Sequence, residues 1–184
     1  LHVSKEVWPC QHLDFGLLVS RALAQNQYIV TQQYTYRAGP TERRADLVLL
    51  VNGLPLVLIE AKTPVKKCIS WVDGAVQVHD DYEKFVPELF VCNVFSVATE
   101  GKAYHYGSIG LPVKDWGPWH LDGDGDDGQH HTLKSLKLSA ESMLRPHVVL
   151  DILGSFTLFA TNKKKQRIKI ICRYQQFEAA NKIV

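Results

Sequence analysis

The 184-residue chain is 46% hydrophobic with a mean hydropathy of -0.11, which supplies one buried core and part of a second and excludes a disordered chain. No stretch reaches the length of a membrane span and the start lacks a signal peptide's charged head and apolar block, so a cytoplasmic protein with no membrane partner is expected. The formal charge of +2 is unevenly spread: Lys163, Lys164, Lys165, Arg167, Lys169, Arg173 and Lys182 face only Glu178 in residues 160–184, so the preceding residues are net acidic and charge alone does not mark them as a nucleic-acid binder.

In chain order, "LDFGLLVSRALAQN" from Leu13 has helical apolar spacing and ends near Asn26. "YIVTQQYTYR" (28–37) is β-branched and aromatic and reads as a strand, turned by "RAGPTERR". "ADLVLLV" and "LPLVLIEAK" are apolar strands around Asn52-Gly53, a strong hairpin signal. "WVDGAVQVHDDYEKF" (71–85) becomes helical after Asp73, with Val76, Tyr82, Phe85 and Val86 on its expected buried face. "ELFVCNVFSVATEG" reads as a long strand and "KAYHYGS" as a shorter one. The order helix, three strands, helix, two strands predicts an α/β domain with a mixed sheet over residues 1–120.

"HLDGDGDDGQHH" opens an acidic flexible segment, placed at 121–136, that marks a boundary. A calcium loop counted from Asp122 fails, because Asp127 and Leu133 stand where the glycine and the bidentate glutamate belong. Beyond it, "RPHVVLDILGSFTLFAT" reads as a helix from Pro146, followed by a basic turn, a short strand "IKIIC" and a last helix "YQQFEAANKIV". Cys10, Cys68, Cys92 and Cys172 lack Cys-x-x-Cys spacing, which excludes a zinc ribbon and a disulfide framework and leaves packing thiols. Trp116 and Trp119 read as packing anchors at the domain edge.

The chemistry concentrates between residues 43 and 77. Glu60 and Lys62 are two apart in an apolar strand and so project from one face, where burial is costly unless the charges are paired, bind a metal or do chemistry. Read as structure alone they form a buried ion pair. Asp46, on the preceding strand, supplies a second carboxylate. Two carboxylates from adjacent strands are hard oxygen ligands of the kind magnesium takes, and a lysine beside them can orient water and offset phosphodiester charge. Register tests the idea: a strict two-residue turn at Asn52-Gly53 pairs Asp46 with Ile59 and throws Glu60 to the opposite face. The constellation therefore requires a three-residue loop or a one-residue bulge. Arg43 and Arg44, just before Asp46, read either as surface charges or as DNA-backbone contacts.

"RRADLVLLVNGLPLVLIEAKTP" resembles the nuclease domain of type I restriction enzyme R subunits, a branch of the PD-(D/E)xK nucleases, over about residues 28–119. The resemblance implies a magnesium-dependent DNA endonuclease with Asp46 and Glu60 as metal ligands and Lys62 as catalytic lysine. It also implies partner methylation and specificity subunits and cleavage after ATP-driven translocation. Many members carry Gln-x-x-x-Tyr on the following helix; here Gln77 and Tyr82 stand one residue further apart, with Gln77 expected at the site. Residues 137–184 resemble the approach to the R subunit's motor, and "RYQQFEAA" is similar to an adenine-recognition element, which makes Gln176 the adenine-reading residue. No GxxxxGK[ST] loop is present, so ATP is expected only for a full-length subunit. Two other readings stay open: a non-catalytic docking module with the nuclease fold, and a stand-alone repair or recombination nuclease.

Overall fold

The structure is a computed structural model and describes residues 23–63, 65, 68–119, 132–162, 165 and 167–183. The expected first helix lies almost wholly outside the described residues, as does most of the acidic segment.

Six strands form one sheet in the order of the chain: β1 (Tyr28–Ala38), β2 (Thr41–Val51), β3 (Leu54–Ala61), β4 (Phe95–Thr99), β5 (Tyr104–Gly107) and β6 (Gly117–Pro118). Neighbours are antiparallel except β3 and β4, which run parallel. A parallel pair needs a crossover, and helix α1 (Trp71–Val76) provides it. Helix α1 continues through a π-helical turn (Gln77–Tyr82) into a closing α turn (Glu83–Phe85). The mixed α/β architecture agrees with the sequence reading.

Several local expectations are corrected. The strand after the first turn begins at Thr41, because Gly39 (φ 58°) and Pro40 alone make that turn. The cap of α1 is Ser70, whose side chain accepts the Val72 N–H, while Asp73 accepts the Ser70 N–H at 2.7 Å; Asp73 is thus the third residue of a capping box. The earlier start and the π turn change the buried face to Gly74, Ala75, Val78, Tyr82 and Val86, leaving Val76 and Phe85 exposed. Pro87, just before "ELFVCNVFSVATEG", opens a 3-10 turn (Pro87–Phe90), which confines the strand to Phe95–Thr99.

After the acidic segment, α2 (Leu133–Met143) was not foreseen, and "SFTLFAT" leaves the helical run to form a strand. Helix α3 (Pro146–Ser155) stops, and β7 (Thr157–Thr161) pairs antiparallel with β8 (Arg167–Ile171), followed by α4 (Tyr174–Ile183). No described helix is long and apolar enough to cross a membrane.

The sheet separates two apolar clusters. One joins Val57, Phe95, Val97, Tyr106 and Trp119 to Met143, Leu150, Ile152 and Tyr174 from the C-terminal segment. The other sets Val48, Leu58 and Ala98 against Ala75, Val78, Tyr82, Val86 and Phe90, on the face covered by the crossover helix. Glu60, 1% exposed, belongs to that second face.

Candidate active site

Asn52 (φ 52°) and Gly53 (φ 82°) form a two-residue turn between Val51 and Leu54, the left-handed pair that a primed hairpin turn demands. Left alone, that turn would separate the two carboxylates. It is not left alone: Leu50 pairs with Pro55, yet Leu49 pairs with Val57, so Leu56 is an extra residue on β3. Beyond this bulge Leu47 stands opposite Ile59, and the same register sets Asp46 opposite Glu60. The bulge required by the sequence argument is present.

At Asp46 side chains replace the ladder. The Asp46 N–H approaches Glu60 Oε1 at 3.4 Å, while the Ala61 N–H donates to Asp46 Oδ2 at 3.0 Å. Lys62 Nζ donates to Glu60 Oε2 at 3.2 Å and to Gln77 Oε1. Gln77 in turn donates to Tyr82 Oη, and the Tyr82 hydroxyl donates to the Arg44 carbonyl at 2.8 Å. The result is a directed chain from Lys62 through Gln77 and Tyr82 to β2.

The altered Gln77–Tyr82 spacing has a structural cause. A π turn closes i→i+5 bonds, so two residues five apart meet where an α-helix would bring together residues four apart. Tyr82, placed on the buried face by the sequence, is both 2% exposed and bonded to Gln77. The single extra residue relative to Gln-x-x-x-Tyr is the sequence signal for that turn. Helix α1 can lie this close to β3 and β4 because a Cβ at Gly74 would stand 3.3 Å from the Ala98 Cβ and 3.4 Å from the Glu60 Cβ.

Burial, and next the neighbouring Asp46, push Glu60 up to about 7, with Lys62 acting in the opposite direction. Burial, and next Glu60, push the Tyr82 hydroxyl above its ordinary range, so it remains a phenol. Glu83 is also raised to about 7 by burial, although one of its oxygens accepts the Gly110 N–H at 2.9 Å.

The remaining expected residues have other surroundings. Arg43 makes a bidentate ion pair with Asp81 (2.6 to 2.8 Å) and lies 5.0 Å over the Phe85 ring, which ties β2 to the crossover helix. Arg44 has an exposed side chain. Gln176 accepts the Arg173 N–H at 2.8 Å at the start of α4 and takes no part in the carboxylate group. Trp116 and Trp119 are buried, as packing anchors should be.

Among the described residues no cluster of three or more His, Cys, Asp or Glu side chains forms. The donor set is therefore two carboxylates, which suits an ion that keeps several waters, as magnesium does, and does not suit a closed zinc site. The neighbouring Asp46 adds to the cost of burying Glu60, and Lys62 offsets part of it.

Residues 12–110 match the family described as type I restriction enzyme R protein N terminus. The chain belongs to that family. Over 161 residues, 86% of this chain, it is 26% identical to the type I restriction enzyme HindI endonuclease subunit of Haemophilus influenzae. Over 178 residues, 91% of this chain, it is 27% identical to the putative MjaVIIP endonuclease subunit of Methanocaldococcus jannaschii. The matches cover 15% and 16% of those relatives, so the chain corresponds to a small part of their length.

Proposed function

We propose that this chain is the magnesium-dependent, PD-(D/E)xK-type DNA-cleaving domain of a type I restriction R subunit. In this reading its substrate is the phosphodiester backbone of foreign DNA. Methylation and specificity subunits are its partners, and cutting follows ATP-driven translocation by the rest of the subunit. The observation that carries the reading is the Leu56 bulge, because it is what sets Asp46 on the face of Glu60 and Lys62.

Asp46 and Glu60 would hold the ion, which when bound polarises the scissile phosphate and lowers the pKa of an attacking water. Binding there requires the Glu60 proton, held up to about 7 in the free chain, to leave. Lys62, fixed by Glu60 and Gln77, places its ammonium where it orients the nucleophile and offsets negative charge. Gln77 supports Lys62, and Tyr82 supports Gln77. Arg44 is the exposed cation nearest in sequence to Asp46 and is assigned a phosphate contact; Arg43, engaged by Asp81, holds the crossover helix instead. Adenine reading by Gln176 belongs to the full-length subunit and rests on the sequence pattern alone.

In the complete restriction complex, Asp46→Ala, Glu60→Ala and Lys62→Ala should each abolish cleavage while ATP hydrolysis persists. A variant among the three that cuts at the native rate would overturn the assignment.

A further inference from the structure

The ladder between β1 and β2 is interrupted at a single pair. Gln32–Leu47 and Tyr34–Ala45 flank it in one continuous register, and the residues between them are Gln33 and Asp46. Gln33 sits at φ 51°, in the left-handed region. That conformation is unfavourable for a residue with a Cβ, and Gly, Asn and Asp take it far more readily. Gln33 is exposed, so packing does not force it there. Its side chain has one described partner: Nε2 donates to Asp46 Oδ1 at 3.1 Å.

The kink also reverses the faces of the hairpin. Val48 packs on the crossover-helix cluster, and strict alternation would put Ala45 with Leu47 on the opposite cluster. Instead Ala45, with Tyr34 and Tyr36, joins Val48 on the crossover-helix side. The switch occurs at Asp46 and Gln33, so the backbone that turns the hairpin onto the Tyr82 core also leaves Gln33 beside the carboxylate.

We propose that Gln33 is a positioning residue of the cleavage site, its amide fixing the rotation of the Asp46 carboxylate for the ion. The assignment rests on the nuclease reading above and extends it to a strand that neither the sequence motif nor the family's named chemistry invokes. Asp46 then has both oxygens tethered, Oδ1 by Gln33 and Oδ2 by the Ala61 N–H. A neutral amide suits this task. Lysine or arginine in its place would neutralise the carboxylate and compete with a cation, whereas an amide orients the group and leaves its charge available.

The test uses the 184-residue chain and manganese as the probe, titrated calorimetrically at a pH above the Glu60 titration. Gln33→Gly keeps the left-handed backbone at no steric cost and removes the exposed side chain that carries the amide, so Tm should not fall. Its manganese dissociation constant should rise about tenfold, the size typical of lost support to a metal ligand. Gln32→Gly, at the adjacent exposed position, should leave the affinity unchanged. Native affinity in Gln33→Gly would overturn the assignment and leave Gln33 as a backbone kink, and an equal loss in Gln32→Gly would overturn it as a general effect on the strand. A wild-type chain that binds no manganese would contradict the nuclease reading itself, and this assignment with it.

Discussion

On one face of the sheet Trp119 packs edge-on against Tyr106 and Tyr174 and tilts against Phe177, with ring centroids 5.2 to 5.6 Å apart, and its indole N–H finds Ser142 Oγ at 3.1 Å. On the other face the same sheet presents Glu60, Asp46 and Lys62 beneath a crossover helix whose buried residues are Gly74, Ala75, Val78 and Tyr82. The first face buries aromatic rings. The second holds two neighbouring carboxylates, one of them at about 1% exposure, and burial and next Asp46 push the Glu60 pKa upward. The aromatic face is expected to carry more of the stability, and the site face keeps an electrostatic conflict that a bound cation would relieve.

That contrast breaks most visibly at Trp119. Trp119→Ala should cost about 3–5 kcal/mol, which for a chain of this size lowers Tm by on the order of 10 °C in thermal denaturation followed by circular dichroism. A change within error would mean that the aromatic face does not carry the fold.

The site face should respond with the opposite sign. Glu60 and Glu83 both have folded-state values of about 7, above the ordinary glutamate value of 4.5. A raised folded value means that the folded chain binds the proton more tightly than the unfolded one. The stabilisation is fully present below about 4.5 and is lost as pH rises through about 7. Asp80 and Glu178 are shifted downward, but Asp80 is exposed and Glu178 only partly buried, so they oppose this only weakly. Glu60→Gln should therefore raise Tm above neutral pH, flatten part of the pH dependence and eliminate manganese binding. A lower Tm than wild type at every pH would show that Glu60 is a stabilising ion-pair partner of Lys62 and nothing more.

The smallest expected change is Tyr82→Phe. It removes a hydroxyl that bonds Gln77 and the Arg44 carbonyl, worth about 1 kcal/mol of stability, while the ring stays in the core. Cleavage by the full complex should fall by more than that loss of folding accounts for, since Lys62 loses its indirect support. Equal fractional losses of folded protein and of activity would assign Tyr82 to packing alone.

How much of this was legible in the sequence depends on whether chemistry or phase carried the signal. A bulge or an odd-length loop could be inferred in advance, though not its place at Leu56, because a regular two-residue hairpin and a shared carboxylate face are incompatible. The π turn could not, because the extra residue between Gln77 and Tyr82 breaks the helical period that locates a buried face, which is also why Val76 and Phe85 were misplaced. Strand β7 was hidden because "TLFAT" continues the apolar run of α3, and periodicity cannot separate a short strand from a buried helical segment. Gln33 carries no sequence signal at all: its role depends on one backbone angle and on the residue across the strand.

The central claim is that the bulge brings Asp46 and Glu60 to one ion. Anomalous diffraction from manganese-soaked crystals of the 184-residue chain addresses it directly. The account predicts one strong peak between the Asp46 and Glu60 carboxylates, lost in Asp46→Asn. No peak there, or a peak that persists in Asp46→Asn, would contradict it.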